Sequence, residues 1–501
     1  MTIRPQFSPL LSLIILALRI AIATSSSAQT FTTLATFDGN NGDRPFGPLV
    51  QGTDGNFYGT TVYGGANCNG GQPYGCGTIF KMNSTGTLAT LYSFCSQPNC
   101  TDGSYPFSGI IQAANGSFYG TTGGDNDNGT VFRITSKGKL ITLYRFCSRP
   151  NCTDGEGPVG GLVQAANGNF YGTTALGGTG TNGNGGTVFK ITPKGKLTTL
   201  YSFCSQPNCA DGQEPLAALI QAMDGNFYGT TQYGGAGAGQ SGTVFKITPA
   251  GKFTSLYSFC SQPDCADGIF PSASLVQGSD GNFYGTTQEN GPNGGPGTAF
   301  EVTSEGALTT LHTFCSQPNC DDGGDPFGGL VLGTDGNFYG ATYSGGTGKG
   351  RGGEIFRMSP EGTLTGLYGF CSQPDCTDGE LPYSSPILAT NGIFYGVTAS
   401  GGIFSCNPDD IGCGTSFSLS VGLGSFIETR PTSGKIGKRV VILGNDLTGA
   451  TSVEFNGTSA IFKVASGTEI TTNIPKSATT GYVSVTTPNG ILSSNVPFVV
   501  P

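Results

Sequence analysis

One stretch, DGNFYGTT at Asp54–Thr61, recurs until the chain is nearly used up. Its tyrosine returns as Tyr58, Tyr119, Tyr171, Tyr228, Tyr284, Tyr339 and Tyr395, at intervals of 52 to 61 residues. A unit of that length copied in tandem is one supersecondary element that cannot bury its apolar face alone, so neighbouring copies must supply the core.

Each copy holds four segments that read as short strands. The opening strand is Phe31–Phe37 (FTTLATF), with equivalents from Leu88–Phe94 to Leu364–Phe370; it alternates and ends on an aromatic residue. A short apolar strand follows, as at Pro48–Gln51 and Gly109–Gln112. Asp54-Gly55, Asn115-Gly116 and their counterparts then predict two-residue hairpin turns whose central positions accept positive φ. They lead into the aromatic strand, Asn56–Thr61 and its copies. There Phe57 and Tyr58 must face opposite sides of a sheet and pack against neighbouring units. A Gly-rich loop, different in every repeat, leads to the closing strand, Gly77–Met82 (GTIFKM) in the first copy and Gly414–Leu419 in the last.

Four antiparallel strands in each of seven units predict an all-β fold, a seven-bladed β-propeller over 29–421 whose terminal strands share a blade. A solenoid competes, but its repeats are usually shorter and carry distinct caps. Beyond about Val421 the pattern changes. Arg439–Leu443, Thr451–Phe455, Ala460–Val464, Glu469–Ile474, Tyr482–Thr486 and Val496–Val500 predict a small immunoglobulin-like β-sandwich over 422–501.

Leu10–Ala23 is apolar apart from Ser12 and Arg19, and Ser26-Ser27-Ala28 supplies small residues, so 1–28 reads as a signal peptide cleaved after Ala28. The run is too short to span a bilayer, and no later segment is apolar enough to do so. A secreted or cell-surface protein is therefore expected. A net charge of −9 without a Lys/Arg cluster argues against nucleic acid and anionic membrane surfaces as partners.

Sixteen cysteines agree with export. Six pairs share the form F-C-S-[QR]-P-[ND]-C: Cys95/Cys100, Cys147/Cys152, Cys204/Cys209, Cys260/Cys265, Cys315/Cys320 and Cys371/Cys376. Cys68/Cys76 and Cys406/Cys413 complete a set of eight local pairs, read as disulfides. A structural zinc site wants four ligands where each pair offers two. No EF-hand calcium loop is present, and no metal or cofactor is expected.

The ordered set D-G-x-x-P, D-G-N-F-Y-G-T-T and G-T-V-F-K-I-T resembles the Gloeobacter/Verrucomicrobia-type (GloVer) tandem repeat over about residues 31–421. Departures are Ala341-Thr342 and Val397-Thr398 in place of Thr-Thr, and a first repeat lacking the C-x4-C pair. Residues 427–501 resemble an IPT/TIG domain through PTSGKIG (431–437), SVEFNG (452–457) and VTTPNG (485–490). The resemblances imply an exported bacterial surface protein and carry over no catalytic residue.

The catalytic inventory reads as thin. The single histidine, His312, stands where other repeats have Tyr144, Tyr201, Tyr257 or Tyr368, and reads as a packed strand residue. The main expectation is an exported monomeric scaffold without catalytic activity, binding an extracellular glycan or protein or serving a structural surface role. Tyr63, Tyr74, Tyr233 and Tyr343, near the variable loops, are its candidate ligand contacts. The alternative is an extracellular carbohydrate-active enzyme, because glycosidase chemistry needs only two carboxylates across a cleft. Glu289, Glu380, Asp325 and Asp127, acids outside the repeated positions, are the candidates for that pair.

Overall fold

The computed structural model describes residues 29–66, 75–124, 128–180, 184–290, 295–350, 352–404, 406 and 412–501. Nine four-stranded antiparallel sheets are built from them, seven in the repeats and two in the C-terminal unit. A repeat sheet takes its short, aromatic and closing strands from one repeat and its outermost strand from the next. In the first it runs Val50–Gln51, Phe57–Thr61, Thr78–Met82, Leu88–Ser93. That offset leaves the last sheet one strand short. Thr30–Thr36 fills the place, pairing with Thr415–Ser420.

The hairpin turns differ from the expected two-residue form. In the first, Gly52 N–H donates to the Asn56 carbonyl and Gly55 N–H to the Gly52 carbonyl, enclosing Thr53, Asp54 and Gly55. Only Gly55 has positive φ, at 78°, as in a three-residue turn with a glycine bulge. The aspartate is there for its side chain. Asp54 Oδ2 accepts from Tyr58 Oη at 2.9 Å, and Asn115 Nδ2 donates to Tyr119 Oη at 3.0 Å. A buried phenol needs such a partner.

The rest of the motif joins one sheet to the next. Tyr58 packs on Phe118 with centroids 4.1 Å apart, Tyr119 on Phe170 at 4.1 Å, and so on to Tyr339 on Phe394 at 4.4 Å. Tyr395 then packs on Phe57 of the first sheet at 4.0 Å. Gly59 is required because a Cβ there would lie 2.5 Å from Phe80 Cζ. Thr60 Oγ1 donates to the Ser108 carbonyl of the next repeat, while Thr61 Oγ1 bonds Thr78 Oγ1 within its own sheet. Ala341 and Val397 cannot make the bond between sheets.

In the C-terminal unit the two four-stranded sheets share one core that includes Val440, Ile442, Phe455, Ile470, Val485 and Phe498. The strand expected at Val496–Val500 is absent as such; Phe498 and Val499 make only isolated bridges. This unit packs on the turn ends of the repeats. Arg430 Nη1 donates to Gln112 Oε1 at 3.1 Å, Thr468 Oγ1 to the Thr53 carbonyl at 2.6 Å, and Asn445 Nδ2 to Thr390 Oγ1 at 2.7 Å.

Candidate functional site

At the opposite end of the aromatic strands, the loop after each opening strand folds back over the sheet. Its first part is the cysteine loop. Disulfides join Cys95–Cys100, Cys147–Cys152, Cys204–Cys209, Cys260–Cys265, Cys315–Cys320, Cys371–Cys376 and Cys406–Cys413. Cys76 is also disulfide-bonded, and its expected partner Cys68 lies outside the described residues. In the six C-x4-C pairs the Asn or Asp before the second cysteine has φ between 54° and 61°, a conformation these two residues tolerate best after glycine.

Each loop is anchored by a buried aspartate. Asp102 Oδ2 accepts from Tyr92 Oη at 2.7 Å and from the Ser96 amide, and Oδ1 accepts from the Gln97 amide. The same cluster recurs at Asp154, Asp211, Asp267 and Asp378 with Tyr144, Tyr201, Tyr257 and Tyr368. At Asp322 the phenol is replaced by His312 Nε2, 3.1 Å from Oδ2. Burial works against ionisation of Asp154, but hydrogen bonds from Tyr144, Ser148 and the backbone outweigh it and lower its pKa. Burial and the Asp102 charge push the Tyr92 phenol up to about 12, against a smaller lowering by Ser96.

Three residues downstream of that aspartate the loop turns inward. Arg44, Tyr105, Gly157, Glu214, Phe270, Asp325 and Leu381 occupy equivalent positions, all with φ between 53° and 63°. Their carbonyls accept from the residue that follows the Thr-Thr pair, as Glu214 does from Gln232 N–H at 2.9 Å and Asp325 from Tyr343 N–H at 3.1 Å. The segments that follow, from all seven repeats, surround a cavity of about 440 Å³. Its wall has two unlike halves. On one side Phe107, Phe46, Tyr383 and Phe327 form an arc, with Phe46–Tyr383 stacked at 4.5 Å and Phe327–Tyr383 at 4.8 Å. Val159, Leu216 and Ser272 take the equivalent places opposite. There Gln288 Nε2 donates to Ser272 Oγ, and Gln232 Nε2 to Gln288 Oε1 at 3.4 Å.

Ionisable groups gather above this wall. Tyr233 lies within the fields of Glu214 and Glu289, which add to burial in raising its pKa. The Tyr343 phenol is raised by burial and senses Arg44, Glu380 and Asp325 from three different repeats. Burial also raises the carboxyls of Glu214 and Glu380, and holds Asp43 at about 6 despite the adjacent Arg44. Glu156 and Glu380 each lie beside a cysteine pair, but those sulfurs are bonded to each other and cannot ligate a metal as thiolates.

Tyr63, Tyr233 and Tyr343 therefore stand at this mouth, as do Glu289, Asp325 and Glu380, whereas Tyr74 and Asp127 lie outside the described residues. Asp43, Arg44 and Glu214 were missed because the reading looked to the Gly-rich loops for variation. The signal was available in the x-x of D-G-x-x-P, which reads Ser104-Tyr105, Gln213-Glu214, Ile269-Phe270 and Glu380-Leu381 in four of the repeats.

A profile of the Gloeobacter/Verrucomicrobia repeat matches residues 68–266 and 208–408, together more than half of the chain. No such match supports an IPT/TIG domain. No curated protein sequence matches significantly. Solved structures with partial likeness include one described as a "putative gluconolactonase" (11% identity, 80% of this chain and 94% of that one, TM-score 0.37). A protein of unknown function from Dyadobacter fermentans has 11% identity, 79% and 99% coverage and a TM-score of 0.42. A Thermus thermophilus protein described as a "putative oxidoreductase (glucose dehydrogenase)" has 14% identity, 68% and 100% coverage and a TM-score of 0.35. At these TM-scores the likenesses say nothing of this chain's chemistry. The expectation of a scaffold without catalytic groups is nevertheless corrected. Six buried Asp–Tyr or Asp–His clusters, each three residues before an inward-turning position, and the raised carboxyls of Asp43, Glu214 and Glu380 place many ionisable groups around this end of the sheets, where few were expected. Among the described residues no helix is long and apolar enough to cross a membrane.

Proposed function

The chain belongs to the Gloeobacter/Verrucomicrobia repeat family, and we propose that in this member the seven sheets close into a β-propeller whose cavity mouth is the active site of a carbohydrate-active hydrolase. The cyclic Tyr–Phe contacts and the pairing of Thr30–Thr36 with the last closing strand support the closed ring. In this reading the chain is secreted after cleavage at Ala28, and the C-terminal unit is an immunoglobulin-like sandwich of the IPT/TIG kind. It acts as a monomer on an extracellular glycan.

The observation that carries the proposal is an aromatic arc lining a cavity, with acids from several repeats clustered beside it. Aromatic faces take the C–H face of a sugar, while Gln232 and Gln288 offer amides to its hydroxyls. Glu214, whose carboxyl burial shifts toward the protonated form, is the candidate acid that delivers a proton to the leaving oxygen. Asp325 and Glu289, entering from the next repeats, are the candidates for the second carboxylate. The glycosidic C–O bond breaks, water supplies hydroxyl to the anomeric carbon and its other proton to the second carboxylate, and the proton from Glu214 goes to the departing alcohol.

The test is hydrolysis of a panel of aryl glycosides by the secreted full-length chain. Turnover by the native chain, with at least a hundredfold loss in Glu214→Gln, is expected for removal of a general acid. No turnover of any member of the panel, or full turnover in both Glu214→Gln and Asp325→Asn, would refute it.

A further inference from the structure

We propose that the sugar taken at this mouth carries a carboxylate, a hexuronate, which Arg44 recognises. The proposal rests on the cavity being a carbohydrate site. Among the described residues six buried side-chain polar atoms have no hydrogen-bond partner; Ser384 Oγ belongs to a residue lining this cavity, while Asp43 Oδ1 and Arg44 Nε lie just before the lining residue Phe46, and Arg44 acts on the Tyr343 phenol, whose ring packs on Phe327 and Tyr383. Buried polar atoms in a folded protein are normally satisfied, so such a concentration marks where a ligand would complete the bonding.

Arg44 is the one basic residue among the seven equivalent inward-turning positions. Its guanidinium lies 5.5 Å from the centroid of the Tyr63 ring and makes no ion pair or side-chain hydrogen bond among the described residues. The adjacent Asp43 forms no ion pair with it among the described residues, and Asp43 Oδ1 is itself left without a partner. A guanidinium held by an aromatic face, with free N–H groups beside a cavity, presents the fork that suits a carboxylate. Asp43 and Ser384 would then meet ring hydroxyls, and the Phe46–Tyr383 stack would meet the sugar face.

Calorimetry of the full chain with glucuronate, glucose and acetate tests this. Glucuronate should bind about tenfold or more tightly than glucose, as expected for one charge-assisted hydrogen-bonded contact, and should weaken as salt is added. Acetate, which lacks the ring, should bind more weakly than glucuronate. Arg44→Gln should bring glucuronate down to the level of glucose, and Arg44→Lys should restore part of the difference; thermal melting confirms that each variant is folded. Glucuronate binding no tighter than glucose (both undetected included), acetate binding as tightly as glucuronate, or a preference that survives in folded Arg44→Gln would overturn it. Turnover of neutral glycosides that disappears in Glu214→Gln, without any preference for glucuronate, would sink this proposal and leave the hydrolase reading standing.

Discussion

Glu354 is where one residue breaks the repeat and shows the chemistry of the interior. Six repeats begin the closing strand with threonine, as at Thr78 and Thr130, and the sixth has a glutamate that is 1% exposed. Gly366 leaves room for it, since a Cβ there would lie 2.3 Å from Glu354 Oε1. Thr347 Oγ1 donates to Oε1 at 3.1 Å, but Oε2 is buried without a partner. Burial outweighs the Thr347 bonds and raises the carboxyl to about 7. A folded-state pKa above the unfolded one means that its stabilising contribution is complete below about 4.5 and is lost as pH rises through about 7. Glu354→Gln should therefore gain on the order of 3 kcal/mol over the native chain at pH 8 relative to pH 4.5. Denaturant melts at the two pH values measure this, and equal differences at both would contradict it. The sequence displayed the substitution openly. That it falls inside a sheet was not visible, because burial of one strand position depends on what the neighbouring repeat lays over it.

At the scale of elements, the roles of the aromatic strand were readable and its turn was not. Alternation fixed Phe57 and Tyr58 on opposite faces, and each packs against a different neighbouring sheet. The Asp-Gly pair suggested a two-residue turn because that composition favours one, but the third loop residue, Thr53, is set by pairing of the short strand. Since the same Tyr–Phe stack joins every pair of sheets, a single break should be felt globally. Phe170→Ala removes one fully buried ring between Tyr119 and its neighbours and should cost about 3–5 kcal/mol, read from urea unfolding of the whole chain. A loss below about 1 kcal/mol would show that the sheets do not depend on these stacks. The functional positions were harder to read. Glu214 differs from Arg44 and Phe270 in every chemical respect, so a search for shared letters passes over it, whereas Asp325 was legible as an acid outside the repeated positions. Only the common backbone shape, with positive φ at each, reveals that they are one set.

For the molecule as a whole, the repeats build seven nearly identical sheets and then vary the residues where the sheets converge. The C-terminal unit packs over the turn ends through Arg430, Thr468 and Asn445, on the side opposite the mouth. The number of sheets and the order of their strands were legible from the period. The two-sided character of the cavity was not, because Phe46, Phe107, Phe327 and Tyr383 are scattered from Phe46 to Tyr383, 337 positions apart, and meet only when the last sheet neighbours the first. The most direct test of the central claim is a crystal structure of the Glu214→Gln chain with an uncleaved oligosaccharide that the native chain hydrolyses. The account predicts a sugar ring on the Phe46–Tyr383 stack, its hydroxyls toward Gln232 and Gln288, and its scissile oxygen within hydrogen-bond reach of residue 214. A saccharide bound elsewhere on the molecule, with the cavity filled only by solvent, would contradict it.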